Sequence, residues 1–169
     1  LYAKGEGVKQ DYLKAIEYFE KSAKLNNSDA LLNLGVLYAN GEGVKQDYSK
    51  AIEYYEKSAK LNDSYALFNL GYLYLKGEGV KQDSLKAIEY YEKSAKLNNS
   101  DALNKLGYLY LKGEGVKQDY LKSIEYFEKS AKLNDSRALN KLGYLYLKGE
   151  GVKQDYLKAI EYYEKSAKL

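Results

Sequence analysis

Several residue types that carry much of protein chemistry are missing: the 169-residue chain contains no cysteine, histidine, methionine, tryptophan or proline. Without cysteine, disulfide bonds and thiolate metal sites are excluded, and the redox compartment cannot be inferred. Without histidine, the commonest general base and metal ligand is missing. Without proline, no residue of that kind interrupts a helix. We therefore expect no metal and no cofactor.

Long apolar runs are also missing, since none approaches the roughly 20 residues that a membrane helix needs. Hydrophobic residues make up 45% of the chain and charged residues 30%, which predicts a soluble, globular protein that does not insert into membranes. The chain begins at Leu1, in the middle of a pattern, without an initiator methionine. We expect it to be a segment of a longer chain, and cytoplasmic, periplasmic and secreted locations all remain open.

What the sequence does contain is a repeat. The stretch GEGVKQD occurs unchanged five times, at residues 5–11, 41–47, 77–83, 113–119 and 149–155. The spacing is constant at 36 residues, and a fixed period of this size is the signature of stacked structural repeats.

Each repeat shows helical periodicity twice. The segment at 47–61 places Ala51, Ile52 and Tyr55 on one face, with Asp47 as the expected N-cap. The segment at 28–40 has its own apolar stripe, for which we expect Ser28 to be the N-cap. The asparagines just before it predict a tight turn between the two helices.

The unit is therefore predicted to be an antiparallel helix pair, and the chain a single array of such pairs over residues 1–169. A partial repeat at 1–25 holds one second helix and, at residues 1–4, the end of a first helix. Four full pairs follow, at 28–61, 64–97, 100–133 and 136–169. Neither end has a polar capping helix, so the exposed apolar ends could self-associate.

The repeat follows the pattern A-x3-LG-x-LY-x2-G-x-GV-x2-D-x2-KA-x2-YY-x-K-x-A. In one unit the matching residues are Ala66, Leu70–Gly71, Leu73–Tyr74, Gly77, Gly79–Val80, Asp83, Lys86–Ala87, Tyr90–Tyr91, Lys93 and Ala95. This pattern resembles the Sel1-like repeat, a relative of the tetratricopeptide repeat, over essentially the whole chain. The resemblance implies an all-α fold, a right-handed α-solenoid superhelix of stacked helix pairs that serves bacterial-type proteins as a protein-binding scaffold. The disulfides of cysteine-rich members do not carry over, because Ala59 and Ala66 stand near the cysteine positions.

The glycines of GEGVKQD could suggest a phosphate-binding loop, but the spacing fits neither the P-loop nor the dinucleotide fingerprint. A left-handed helix cap at Gly41 with a second unusual backbone angle at Gly43 is the favoured interpretation. A further glycine lies inside each first helix, as at Gly35. We expect it to allow close approach to a small residue of the Ala51 type.

The net charge of +3 could suggest nucleic-acid binding. However, each repeat frame carries four bases and four acids, so the framework is neutral and the excess is local. We therefore expect no nucleic-acid partner.

The positions at which the repeats differ are the most informative signal. They fall on one face of the first helix, at residues 29, 32, 33, 36 and 40 and their equivalents. By analogy with other helix-pair repeats, this face should line a concave groove. Its aromatic and basic part is the predicted peptide-binding groove: Tyr65, Phe68, Asn69, Tyr72, Lys76, Asp101, Asn104, Lys105, Tyr108, Lys112, Arg137, Asn140, Lys141, Tyr144 and Lys148.

Rings for apolar side chains, asparagines for backbone groups and lysines for carboxylates suit an extended peptide. The sequence thus predicts a scaffold that binds a protein or peptide, with an acidic or carboxylate-bearing segment over the third and fourth pairs. Two alternatives remain open. The variable positions could simply be tolerated surface, and the chain could be a structural or self-associating array. An enzyme is not expected, since no one-off catalytic group breaks the repeat.

Overall fold

The structure, a computed structural model, describes Lys4 and residues 11–169. Apart from Lys4 and Asp11, the predicted helix end at 1–4 and the first GEGVKQD copy at 5–11 lie outside the described residues. The described part contains nine α-helices and no strand. They are α1 (Tyr12–Ala23), α2 (Ser28–Asn40), α3 (Tyr48–Ala59), α4 (Ser64–Lys76), α5 (Ser84–Lys96), α6 (Ser100–Lys112), α7 (Tyr120–Lys132), α8 (Ser136–Lys148) and α9 (Tyr156–Ala167).

The helices form two compact units, Leu1–Asp83 with α1–α4 and Ser84–Leu169 with α5–α9. In the first unit, α2 packs against α1 and α3, and α3 against α4. In the second, α6 packs against α5 and α7, and α8 against α7 and α9. The all-α class and the 36-residue helix-pair repeat are confirmed, whereas a single array over 1–169 stays a prediction.

Each unit has a core of repeated aliphatic and aromatic positions. In the first unit, Ile16, Leu34 and Leu37 are buried together, with Val44 and Tyr54 packed against them. In the second, the corresponding core holds Leu111, Ile124, Phe127, Ala138, Leu142 and Leu145. Side chains from consecutive helices therefore share one core, as stacking of repeats requires.

The helix starts confirm one N-cap and correct another. The carboxylate of Asp47 accepts from the backbone N–H of Lys50, as predicted. The first helices, however, are capped by the residue before the serine: the side chain of Asn27 accepts from the N–H of Ala30, and Ser28 is already helical. The prediction of Ser28 as N-cap was wrong by one residue because both residue types are good caps. The turn prediction holds, since Asn26 has φ 57°.

Most positions of GEGVKQD have a structural role. Gly41 is left-handed with φ 73°, and its N–H donates to the carbonyl of Leu37. Gly43 has φ 74°, and a Cβ there would collide with Tyr12 of the preceding repeat. Gln46 donates from Nε2 to the carbonyl of Ala39 at 2.8 Å. These contacts confirm the capping interpretation.

The glycine inside the first helix approaches two residues of the facing helix, of which the sequence predicted one. A Cβ on Gly107 would lie 2.7 Å from the ring of Phe127, and one on Gly143 would lie 2.9 Å from the ring of Tyr163. The predicted approach to a small residue of the Ala51 type is present as well, since Ser123, which stands at that position, donates from Oγ to the carbonyl of Gly107 at 2.7 Å. The glycine also leaves room for the second aromatic side chain of the facing helix.

Candidate functional site

The predicted groove residues lie on first helices, and most of them are exposed or half-buried. Those of the second unit belong to α6 and α8, and those of the first unit to α4. Each unit places some of them around a pocket.

In the second unit, five predicted residues line one pocket of about 360 Å³. This aromatic–lysine site consists of Tyr108, Arg137, Asn140, Lys141 and Tyr144. Asn140 and Tyr144 are exposed, whereas Tyr108 and Lys141 are half-buried. The size lies near the lower end of the range for small-ligand pockets, which is enough for one or two side chains of a peptide.

Lys141 is the central cation of this site. Its Nζ lies 4.7 Å from the centroid of the Tyr144 ring and 5.5 Å from that of Tyr108. Both distances are within the range of cation–π attraction. The ring of Tyr108 is itself held edge-on against Phe127, with centroids 5.1 Å apart. The core therefore fixes the position of the Tyr108 ring, and this ring in turn positions Lys141.

Arg137 is held by two carboxylates. Its guanidinium lies 2.5 Å from Asp101 Oδ1 and 2.7 Å from Asp135 Oδ2. These hydrogen bonds, first that to Asp135, raise the pKa of Arg137. Burial alone would raise the pKa of Asp135, but its hydrogen bonds with Arg137 and with the N–H of Ala138 lower it. The positive charge of Arg137 is thus compensated by two carboxylates of the protein. Lys141 is the cation that the site offers to a ligand.

Asn104 differs from its predicted role as an exposed donor. The side chain is only 4% exposed, and its Nδ2 donates to Asp135 Oδ1 at 3.4 Å. The amide therefore supports the carboxylate that holds Arg137. Residue 104 faces α8 because α6 and α8 belong to successive repeats and share one core. Helical periodicity alone does not reveal this contact.

The remaining predicted lysines of the second unit differ in their surroundings. Lys112 lies 3.6 Å from Glu114, an exposed pair that contributes little to stability. Lys105 is half-buried and Lys148 exposed. Within the part of the chain that the structure describes, neither forms an ion pair. Both can therefore extend the positive charge around Lys141.

In the first unit, the predicted residues are all on α4. Tyr65, Tyr72 and Lys76 are exposed, and Phe68 and Asn69 are half-buried. Asn69 and Tyr72 line a pocket with a volume of about 450 Å³. This amide pocket is lined by Ala39, Asn40, Gln46, Tyr48, Tyr55, Asn69, Tyr72, Leu73 and Glu78.

Sequence reasoning did not include Gln46, Tyr48 and Glu78 in the site, since they lie in or next to GEGVKQD copies that were assigned to the hinge. A signal was nevertheless present. The pair Ala39–Asn40 stands where the later repeats have leucine followed by lysine. A shorter side chain at the end of α2 leaves space that the longer residues fill elsewhere.

Among the described helices, none combines the length and the apolarity that crossing a bilayer requires. The described residues also contain no group of three or more acidic side chains placed to hold a metal ion.

Similarity to known proteins extends over the whole chain. A family model described as Sel1 repeat matches residues 1–27, 28–63, 64–99, 100–135 and 136–169. The chain belongs to the Sel1 repeat family. Proteins of this family are a class of non-catalytic repeat scaffolds that mediate protein interactions. Comparison with curated proteins gave no match.

Several solved Sel1 repeat structures are similar to this chain. A Sel1 repeat protein from Oxalobacter formigenes is 36% identical with a TM-score of 0.93, over 99% of this chain and 68% of its own. A protective antigen of uropathogenic Escherichia coli, c5321, is 34% identical with a TM-score of 0.87. This chain is matched over 99% of its length but spans only 36% of that antigen.

Helicobacter pylori cysteine-rich protein B is 33% identical with a TM-score of 0.64, over 82% of this chain and 99% of its own. The absence of cysteine here means that hydrophobic packing and caps stabilise each repeat without disulfides.

Proposed function

We propose that this Sel1 repeat chain is a scaffold that binds an extended segment of a protein partner along its first helices. The acidic or carboxylate-bearing part of that segment would contact α6 and α8. The observation that carries the proposal is the aromatic–lysine site, where Lys141 stands between the rings of Tyr108 and Tyr144. A carboxylate can pair with this ammonium while its apolar neighbours pack against the rings.

The other groups of the site support the same ligand. Asn140 is exposed and offers both a donor and an acceptor to a peptide backbone. Lys105 and Lys148 add positive charge, whereas Arg137 is already paired with Asp101 and Asp135. We further infer that the chain acts by binding and not by catalysis. We also infer that nucleic acid is not its ligand, because its repeat framework is electrically neutral.

The test is selection from a random peptide library with three forms of the protein. We expect the parent to enrich peptides with aspartate or glutamate beside an apolar residue. The double variant Lys105→Glu, Lys141→Glu should lose that enrichment, because its charges repel a carboxylate. Affinity capture followed by mass spectrometry should show the same loss of protein partners.

The matched control is Lys117→Glu with Lys153→Glu. These lysines are exposed, are also one repeat apart and change the net charge equally, but they lie in GEGVKQD copies away from the site. The control should retain the acidic peptides. Equal enrichment by the parent and the Lys105→Glu, Lys141→Glu variant would refute the proposal.

A second function, self-association of the array, is favoured by one observation on α9. Ile160 is 52% exposed, whereas Ile124, the same position of the preceding repeat, is 6% exposed under α8. Tyr156 and Leu157 are exposed on the same helix. The first helix of a further repeat would cover this apolar face in the way that α8 covers Ile124, and a second copy packed against it would do the same.

We expect Ile160→Lys to shift the concentration-dependent mass of the chain toward the monomer in light scattering, because a buried lysine would oppose the contact. Leu121→Lys, which changes an exposed leucine of α7, is the control and should leave the mass unchanged. A parent chain that is monomeric at all concentrations would exclude self-association.

A further inference from the structure

The amide pocket of the first unit differs in chemistry from the aromatic–lysine site. It is lined in part by Ala39 and Asn40 at the end of α2, where α4, α6 and α8 end in leucine and lysine. In α6, for example, Leu111 is buried at the position of Ala39. Among the four full helix pairs, this part of the lining is therefore particular to one repeat.

Two of the three amides that line the pocket use their nitrogens in hydrogen bonds within the protein. Asn40 donates from Nδ2 to Glu42 Oε1 at 2.9 Å. Gln46 donates from Nε2 to the carbonyl of Ala39 at 2.8 Å and to the hydroxyl of Tyr48 at 3.1 Å. With both amide nitrogens engaged, Asn40 and Gln46 have carbonyl oxygens left to offer.

The charge of the pocket is negative. Glu78 is the charged residue among those that line it, and lysine and arginine are absent from that lining. The Tyr48 hydroxyl lies beside the Glu78 carboxylate. Burial and then the charge of Glu78 raise the pKa of Tyr48, so this phenol stays neutral.

Aromatic rings complete the lining. Tyr48, Tyr55 and Tyr72 all border the pocket, and Tyr55 is almost fully buried. The electron-rich faces of tyrosine rings attract cations, most strongly where water is partly excluded. Acceptor oxygens, one carboxylate and tyrosine rings together specify a ligand group that is cationic, planar or compact, and rich in donors.

We propose that the amide pocket binds the guanidinium group of an arginine side chain on a protein partner. Guanidinium carries five N–H donors in a planar fork, which suits several acceptors at once, and it stacks on aromatic rings. The occupant is thus opposite in charge to the one proposed for the aromatic–lysine site. Only the statement that the arginine belongs to a protein rests on the proposed scaffold function.

The first experiment uses nuclear magnetic resonance of the isotopically labelled chain. The probe is Nα-acetyl-arginine amide, and the comparison is Nα-acetyl-citrulline amide, which has the same shape without the charge. We expect the arginine compound to shift the backbone signals of Asn40, Gln46 and Tyr72. The citrulline compound should bind about tenfold more weakly, because charge-assisted hydrogen bonds are about twice as strong as neutral ones.

Two variants test the pocket directly. Glu78→Gln should weaken arginine binding about tenfold, whereas Glu150→Gln, at the same position of the second unit, should leave it unchanged. The double variant Ala39→Leu, Asn40→Lys installs the residues that the other repeats carry, so it should fold normally and abolish the arginine-induced shifts. Circular dichroism verifies that each variant folds.

Three outcomes would overturn the proposal: equal binding of the arginine and citrulline compounds, unchanged arginine binding in Glu78→Gln, or stronger shifts at the same signals with maltose. The last result would identify a carbohydrate site. The acidic probe Nα-acetyl-glutamate amide is titrated in parallel and followed at Lys141 and Tyr144. If the glutamate compound fails to bind while the arginine compound binds, the proposed function is contradicted. If the arginine compound fails to bind while the glutamate compound binds, this inference is contradicted.

Discussion

Phe127→Ala should lower the free energy of unfolding of the second unit by about 3–5 kcal/mol. The ring of Phe127 is 0% exposed and packs in the core with Ala138, Leu142 and Leu145. Removing it loses the transfer free energy of the ring and leaves a cavity. Gly107 of α6, which lies against the ring, has no side chain that could fill the cavity. Chemical denaturation followed by circular dichroism measures the loss.

The control for this prediction is Tyr163→Ala, which removes the aromatic residue at the same position of the following repeat. Tyr163 is only half-buried, although it also lies against a glycine, Gly143. We therefore expect a clearly smaller loss of stability. Equal losses for the two variants would mean that the cost does not come from core burial. Phe127→Ala should also weaken acidic-peptide binding, because the ring holds Tyr108 in the aromatic–lysine site.

Asp135→Ala should destabilise the second unit by about 2–4 kcal/mol. The carboxylate is buried, with the residue 7% exposed, and it accepts from the backbone N–H groups of Arg137 and Ala138 at the start of α8. It also accepts from the side chains of Arg137 and Asn104. The substitution removes an N-cap and leaves the buried Asn104 amide without its partner.

Asp63→Ala is the matched control, because Asp63 caps α4 in the same way. Its carboxylate accepts from the N–H groups of Tyr65 and Ala66, and tyrosine stands where the second unit has arginine. The loss of this cap alone should cost about 1 kcal/mol. If Asp135→Ala cost no more than Asp63→Ala, the arginine and asparagine contacts would contribute nothing.

The Asp135 prediction also has a pH signature. Because the pKa of Asp135 is lower in the folded protein than in the unfolded chain, its ionised form favours folding. This contribution is fully present above the unfolded pKa of about 3.9 and is lost as the pH falls through the folded pKa. Between about pH 6 and pH 2, the parent should therefore lose more stability than Asp135→Asn. Parallel slopes for the two proteins would contradict the lowered pKa.

The helices and their boundaries could be predicted from the sequence because their signals are local. Apolar periodicity fixes which face of each helix is buried, and Asp47 and Gly41 fix where helices begin and end. The error at Ser28 is of the same local kind, since Asn27 and Ser28 compete for one role and the turn geometry selects between them. The constant 36-residue period made the helix-pair architecture predictable as well.

The candidate sites could be predicted only in part. Repeat-to-repeat variation predicted all five residues that line the pocket around Lys141. It did not reveal that Asn104 is buried or that Arg137 is held by Asp101 and Asp135. The contacts of Asn104 with Asp135 and of Arg137 with Asp101 join residues more than 30 positions apart, which no local pattern encodes.

The sequence by itself determined the repeat, the helix pairs, the caps and the family, because each depends on short-range periodicity and spacing. Only the tertiary structure decided which charged side chains remain available to a ligand. It paired Arg137 with two carboxylates, placed Lys141 between two rings, and opened the amide pocket beside Glu78. The physical reason is that the contacts of Arg137 with Asp101 and of Lys141 with Tyr108 join side chains that meet only when successive repeats stack.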